Sequence, residues 1–280
     1  MAAVLSGKEV AQAIREDLLQ KMKESGIQPK LGIIRVGERP DDLSYETRVK
    51  NNCEKLGISC EVFVFPEEIG MQDFTVAFDR ISQDEKNDAI LMFRPLPSQL
   101  DEGFFMKRIP TEKDVDCMNP ENLNRIFQGE KADFFPCTPE AVLEILKYYQ
   151  VPIQGSKVVI VNRSMVLGKP LSMMLLKENG TVTICHSKTR NLEKITQDAD
   201  ILITGIGRAE FFDKEYISEK SVIIDVGINF LNGKMTGDVV FQDAEDVAAG
   251  ITPVPGGVGV VTSMILLKHV VLAAEGRTHG

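Results

Sequence analysis

The chain has 280 residues, 43% of them hydrophobic, and its 32 Lys plus Arg against 41 Asp plus Glu give a net charge of −9. So acidic a surface repels nucleic acid and anionic lipid, which argues against a polyanion or membrane partner, while the length admits one large or two medium domains, each with its own core. Cys53, Cys60, Cys117, Cys137 and Cys185 form no CxxC pair and no cluster with histidine, so the expectation is free thiols in a reducing cytosol, with no disulfide framework and no metal site.

The first predicted element is a helix, because Val10, Ile14, Leu18 and Met22 recur every four residues with charged residues on the other faces. It is not a signal peptide, which would need an uninterrupted apolar core. LGIIRV (31–36), the helical LSYETRVKNNCEKLGI (43–58), CEVFVF (60–65), a helix around 74–84 and AILMF (89–93) then alternate strand with helix. That rhythm implies right-handed crossovers and a mostly parallel sheet. A helix over 138–149 carries Pro139 in its first turn, and the turn-rich VPIQGSK after it marks a domain boundary at residue 150.

The alternation restarts with KVVIV (157–161), the loop NRSMVLGKP, the helix LSMMLLKENG, TVTIC (181–185), ADILITG (199–205) and SVIIDVG (221–227). This is an α/β half of nucleotide-binding type, in which ligands lie beyond the carboxyl ends of the strands. The apolar run GVVTSMILLKHVVLAA holds Lys268 and His269, falls short of a bilayer span and reads as a buried helix packing on the first domain.

NRSMVLGKP lies where a strand meets a helix, so first-turn N–H groups and the helix dipole favour an anion. Of GxGxxG only Gly168 remains, Asn162 stands where a first glycine is usual, and alone such a loop is more often a plain connection. Arg163 shifts that balance, because a guanidinium pairs with phosphate bidentately. CHSKTRN ends the next strand with Ser187, Lys188, Thr189 and Arg190 where an NAD-selective enzyme places an acid, which suits the 2′-phosphate of NADP over NAD. His186, a lone histidine at a strand end, is given no chemical role. KDVD (113–116), RPLP (94–97) and TPVPGGVG (252–259) each have a plain reading as solvated or rigid loops.

In order along the chain, a tyrosine-bearing helix ending in LGI, then PLP, KDVD, PENL, PCTP, RSxxxGKP, TVTICHSKT, ADILITGIG, VIIDVGIN, GDV and TPVPGGVG resemble the methylenetetrahydrofolate dehydrogenase/cyclohydrolase (FolD-type) family. The resemblance implies two α/β domains with a cleft between them, a folate-binding catalytic domain over 1–150 plus 256–280 and a Rossmann-type NADP-binding domain over 151–255. It implies a cytoplasmic homodimer of one-carbon metabolism. Tyr45 would stack on the folate and Asp116 would hold the pterin, where one carboxylate can accept an amino group and a ring N–H together. Pro95, Leu96, Pro255, Gly256 and Gly257 would line the substrate. Arg163, Ser164, Gly168 and Ser187 would hold the cofactor phosphates, with Ile228 and Thr262 beside the nicotinamide.

The family's Tyr-x-x-x-Lys puts tyrosine and lysine on one helical face. Counting from Tyr45, and back from LGI, both reach Val49. Lys50 is one residue late, turned by roughly 100°, and Arg48 lies nearer the tyrosine's face. The glutamine that supports the family lysine is replaced by Phe93, Cys117 stands for a glycine and Val260 for a proline. Hydride transfer needs chiefly two aligned carbons, whereas hydrolysis of the methenyl product needs an activated water. The expectation is a dehydrogenase with weak or absent cyclohydrolase. The alternatives are a bifunctional enzyme in which Lys50 or Arg48 substitutes, a non-catalytic folate-binding relative, and a dehydrogenase of another small substrate.

Overall fold

The computed structural model describes residues 1–130, 132 and 134–278. In chain order the elements begin with β1 (Ala3–Val4), α1 (Gly7–Ser25), β2 (Lys30–Val36), α2 (Pro40–Leu56), β3 (Ser59–Phe65), α3 (Met71–Gln83) and β4 (Ala89–Met92). They continue with α4 (Glu102–Met106), α5 (Pro120–Gln128), α6 (Cys137–Tyr148), β5 (Lys157–Val161), α7 (Gly168–Lys177), β6 (Thr181–Cys185) and α8 (Leu192–Gln197). Last come β7 (Ile201–Thr204), β8 (Val222–Asp225), β9 (Asn229–Leu231), β10 (Lys234–Thr236), α9 (Phe241–Val247), β11 (Gly250–Ile251) and α10 (Val258–Thr278).

Two compact units result, one of Ile14–Phe135 with Ser263–Gly280, the other of Met1–Ala13 with Pro136–Thr262. In the first, a parallel sheet runs β3-β2-β4. The continuous apolar run of β2 makes it the central strand, buried along almost its whole length, while edge strand β3 alternates in exposure. Phe74 and Phe78, one turn apart on α3, meet Phe105 with centroids 4.6 and 5.1 Å from it, the first edge-on and the second tilted, and these rings fill the core. The later part of α10 belongs to this unit: Lys21 Nζ pairs with Glu275 at 2.7 Å, and His269 Nδ1 lies 2.7 Å from the Val115 carbonyl. The helix is longer than the apolar run of residues 259–274, starting one residue earlier at Val258 and continuing through Glu275 and Gly276 to Thr278. Val258–Gly276 is long and apolar enough to cross a membrane by length and composition, yet more than half of it is buried in protein.

In the second unit a six-stranded parallel sheet has the order β1-β11-β8-β7-β5-β6. β5, first in the chain after the crossover from α6, has β6 on one side and β7 on the other, so the order reverses at β5. Two features move the boundaries away from residues 150 and 255. Residues 3 and 4 extend the sheet by pairing with β11, and α6 packs on α7.

Candidate active site

Helix α2 carries Tyr45, Val49 and Cys53 at a spacing of four, on one stripe. Tyr45 is half-buried, Val49 is 3% exposed and Cys53 is fully buried. The Tyr45 ring lies against Phe93, centroids 5.2 Å apart and planes tilted by 38°. Phe93, just past β4, is 5% exposed and donates its N–H to the Ile34 carbonyl at 2.9 Å. The Arg48 guanidinium carbon sits 5.7 Å from the Tyr45 ring centre. Lys50 leaves the stripe: its side chain is 52% exposed and lies 3.9 Å from Glu46, whose other oxygen takes the Nε of buried Arg35 at 2.7 Å. Its charge also reaches Cys60 on β3. A hydrogen bond from Cys53 pulls the Cys60 thiol down from its ordinary range and Lys50 adds to this, while the same bond and burial push Cys53 up.

Beyond Phe93 the Arg94–Pro95 peptide is cis, and Glu102 fixes the turn by accepting the Leu96 N–H at 3.1 Å and lying 3.6 Å from Arg94. Pro95 is exposed and Leu96 half-buried. KDVD is no solvated turn. Asp114 is wholly buried and accepts the N–H groups of Met118 and Asn119 at 2.8 Å and the Asn122 amide at 2.9 Å. Burial pushes its carboxyl up to about 6 against those donors. Asp116, two residues on, is half-buried. Cys117 has φ 53°, in the left-handed region, which explains why the position favours glycine.

In the second unit the register pairs Val161 with Cys185, so the loops after β5 and β6 start side by side. They bring exposed Arg163, Ser164, Ser187, Lys188 and Arg190 to the carboxyl edge of the sheet. The first turn of α7 is not an open cradle of N–H groups. Asn162 Oδ1 accepts Ser164 N and Oγ at 2.8 Å and Gly168 N at 3.1 Å, and Ser164 accepts Leu167 N through Oγ and Lys169 N through its carbonyl. The Asn162 amide also donates to Gly205 beyond β7, spanning the point where the strand order reverses. An asparagine thus replaces the usual glycine because its side chain organises the loop, leaving an anion to the side chains. His186 shapes its own turn, with Nδ1 accepting Lys188 N at 3.1 Å and its N–H donating to Thr189.

Ile228 is exposed, close to Gly259. Thr262 Oγ1 donates to Val258 O at 3.1 Å, and Val260 donates the N–H that a proline would lack to Gly257 at 3.2 Å. Pro255, which follows a cis peptide, is exposed, Gly256 is half-buried with φ 102°, and Gly257 is buried. Among the described residues no group of His, Cys, Asp and Glu is arranged to hold a metal.

Two family descriptions match the chain, the tetrahydrofolate dehydrogenase/cyclohydrolase catalytic domain over residues 5–116 and the NAD(P)-binding domain of the same enzymes over 136–278. The chain belongs to the tetrahydrofolate dehydrogenase/cyclohydrolase family. The bifunctional protein FolD of Clostridium botulinum (strain 657 / Type Ba4) is 51% identical over 279 residues, covering 98% of this chain and 99% of that one. The bifunctional FolD, methylenetetrahydrofolate dehydrogenase/cyclohydrolase, of Campylobacter jejuni superposes with a TM-score of 0.95 at 34% identity, over 99% and 100% of the two chains. The Trypanosoma brucei FolD, solved with NADP cofactor and an inhibitor, gives 0.91 at 30% identity over 100% and 99%.

The sequence alone marks no role for Asp114 in the first unit, for the loop-organising side chain of Asn162 in the second, or for a pair of buried aspartates there, Asp225 and Asp238. The GDV and VIIDVGIN segments held the last two in plain view, but nothing in their spacing said that they meet.

Proposed function

We propose that this protein oxidises 5,10-methylenetetrahydrofolate to the 5,10-methenyl form with NADP as acceptor, and that it hydrolyses the product weakly or not at all. NADP, when bound, would supply the hydride-accepting carbon, and the folate nitrogen lone pair would form the new C=N bond as the hydride leaves. The residues around it bind and orient. Tyr45, half-buried against Phe93, offers an aromatic face for the folate, Asp116 accepts the pterin donors, and Pro95 and Leu96 in the first unit and Pro255, Gly256 and Gly257 in the second are the further substrate-binding residues. Arg163 and Ser187 take cofactor phosphates, Ser164 and Gly168 shape their loop, and Ile228 and Thr262 flank the nicotinamide. The exposed basic groups after β5 and β6, with no acid in HSKTR, fit a 2′-phosphate, so NADP is favoured over NAD. A homodimer, a cytoplasmic location and the absence of nucleic-acid or membrane partners belong to the same reading.

The observation that carries the second claim is the burial of Val49 and Phe93 where the family has lysine and glutamine. Neither nearby base reproduces the lysine: Arg48 presents a planar, delocalised guanidinium rather than a compact ammonium, and Lys50 faces Glu46 and Cys60. Purified protein is given methenyltetrahydrofolate and its absorbance decay compared with the spontaneous rate. Catalysed decay at a rate like that of NADPH formation would overturn the monofunctional reading. Tight folate binding with no nicotinamide reduction would instead favour a non-catalytic relative.

A further inference from the structure

At the carboxyl end of β8 the side chains of Asp225 and Asp238 are both buried. Asp225 Oδ1 accepts the Thr204 hydroxyl at 3.2 Å, Gly227 N at 2.9 Å and Asp238 N at 3.1 Å, and Oδ2 accepts Val239 N at 2.9 Å. Asp238 accepts the consecutive N–H groups of Ile206, Gly207 at 3.3 Å and Arg208 at 2.9 Å, and the Asn229 amide at 2.9 Å. Successive amides turned onto one anion form a nest, and its occupant is the protein's own carboxylate. The Asp225 N–H donates to Thr252 Oγ1 at 2.8 Å, at the head of the TPVPGG segment. The chain passes hard against both carboxylates: a Cβ on Gly227 would lie 2.4 Å from Asp238 Cγ, and one on Gly237 1.9 Å from Asp225 Oδ2. These contacts explain two glycines and tie the end of β7, the turn after β8 and the proline-rich segment to one hub.

Ile228 lies between the two residues so held, Gly227 and Asn229. Its side chain is exposed, so hydrogen bonds to its neighbours, not packing, fix its place. We propose that Asp225 and Asp238 are positioning residues for hydride transfer, fixing through Gly227 and Asn229 the Ile228 segment that flanks the nicotinamide. This rests on the dehydrogenase reading above.

Asp238→Asn keeps shape and volume but turns an NH2 toward N–H donors. It is expected to lower kcat for methenyl formation by about ten- to a hundredfold, the scale of a misplaced reacting group. KM for NADP stays within about threefold, affinity for 2′-phospho-ADP-ribose, which lacks nicotinamide, is unchanged, and the deuterium isotope effect at the methylene carbon rises. Asn229→Ala, which removes one of the bonds to Asp238, gives a smaller loss of the same kind and decides the matter if Asp238→Asn does not fold. An unchanged kcat, or a kcat that falls only in step with fragment affinity and thermal midpoint, overturns the proposal. Wild-type protein that reduces no NADP would refute the dehydrogenase reading itself, a different outcome from wild-type turnover with undisturbed variants.

Discussion

Placing a lysine at position 49 tests the proposed weakness of hydrolysis more sharply than a rate measurement on the unaltered protein. Val49 is 3% exposed, so Val49→Lys removes an apolar contact of about 1.5–3 kcal/mol and puts an ammonium in a buried position on the Tyr45 stripe. Phe93→Gln alone removes the Tyr45–Phe93 pairing, about 0.5–1.5 kcal/mol beyond its burial. Together the carboxamide oxygen can accept from the ammonium, so the double variant is expected to be less destabilised than the sum of the singles. A positioned acid or base contributes about 10²–10⁴-fold, equal to about 2.7–5.5 kcal/mol of barrier. In methenyltetrahydrofolate decay at neutral pH, each single variant should stay near the spontaneous rate and the double variant should exceed it by about a hundredfold, with thermal midpoints recorded beside. A folded double variant still at the spontaneous rate would refute the reasoning, as would a Phe93→Gln single variant that hydrolyses as fast as the double.

Arg163→Ala should cut kcat/KM for NADP about tenfold or more while changing that for NAD less, because a phosphate loses a charge-assisted partner; equal losses for both cofactors would place the guanidinium away from the 2′-phosphate. Burial pushes Asp114 and Asp225 each up to about 6. For an acid raised on folding, the stabilisation is complete below its ordinary value near 3.8 and is lost as pH rises through about 6, a total of about 3 kcal/mol per group. Urea unfolding should therefore show these groups' stabilisation rising as pH falls from about 6.5 toward 4, with a shallower rise in Asp114→Asn; a wild-type profile no steeper than that of the variant would contradict it. Iodoacetamide should label half-buried Cys60 before the four buried cysteines and more slowly after Lys50→Ala, read by peptide mass spectrometry; equal labelling would show that the thiolate is not favoured.

Both KVVIV and TVTIC coincide with β5 and β6 to the residue, for different reasons: β5 is an apolar run buried from Val158 onward, whereas edge strand β6 is mostly exposed and is legible from its β-branched residues between turns. The hairpin of β9 and β10 was not read, although Asn232 and Gly233, both at positive φ, carry the usual signal of a two-residue turn. Its flanking residues are too few to show alternation. β1 and β11 are two residues each and exist only because distant strands accept them. The same limit governs the site. Tyr45, Val49 and Lys50 share one helix, so their faces follow from counting, whereas Asp225 meets Asp238 and Val115 meets His269 through contacts that no local spacing encodes.

That helix also bears on the proposed reading of hydrolysis. To aim its ammonium along the Tyr45 stripe, Lys50 would need α2 to turn by roughly 100°. The turn would draw Val49 and Leu56 out of the core, about 1.5–3 kcal/mol each, and part the buried Arg35 from Glu46, about 3–5 kcal/mol more. The sum is comparable with the whole stability of an ordinary domain, about 5–15 kcal/mol, and exceeds the barrier reduction a general acid or base supplies. Under the proposed reading Lys50 therefore stays with Glu46 and Cys60, and the position on the Tyr45 stripe where the family has lysine carries the isopropyl group of Val49, which leaves alignment, the chief demand of hydride transfer, unaffected.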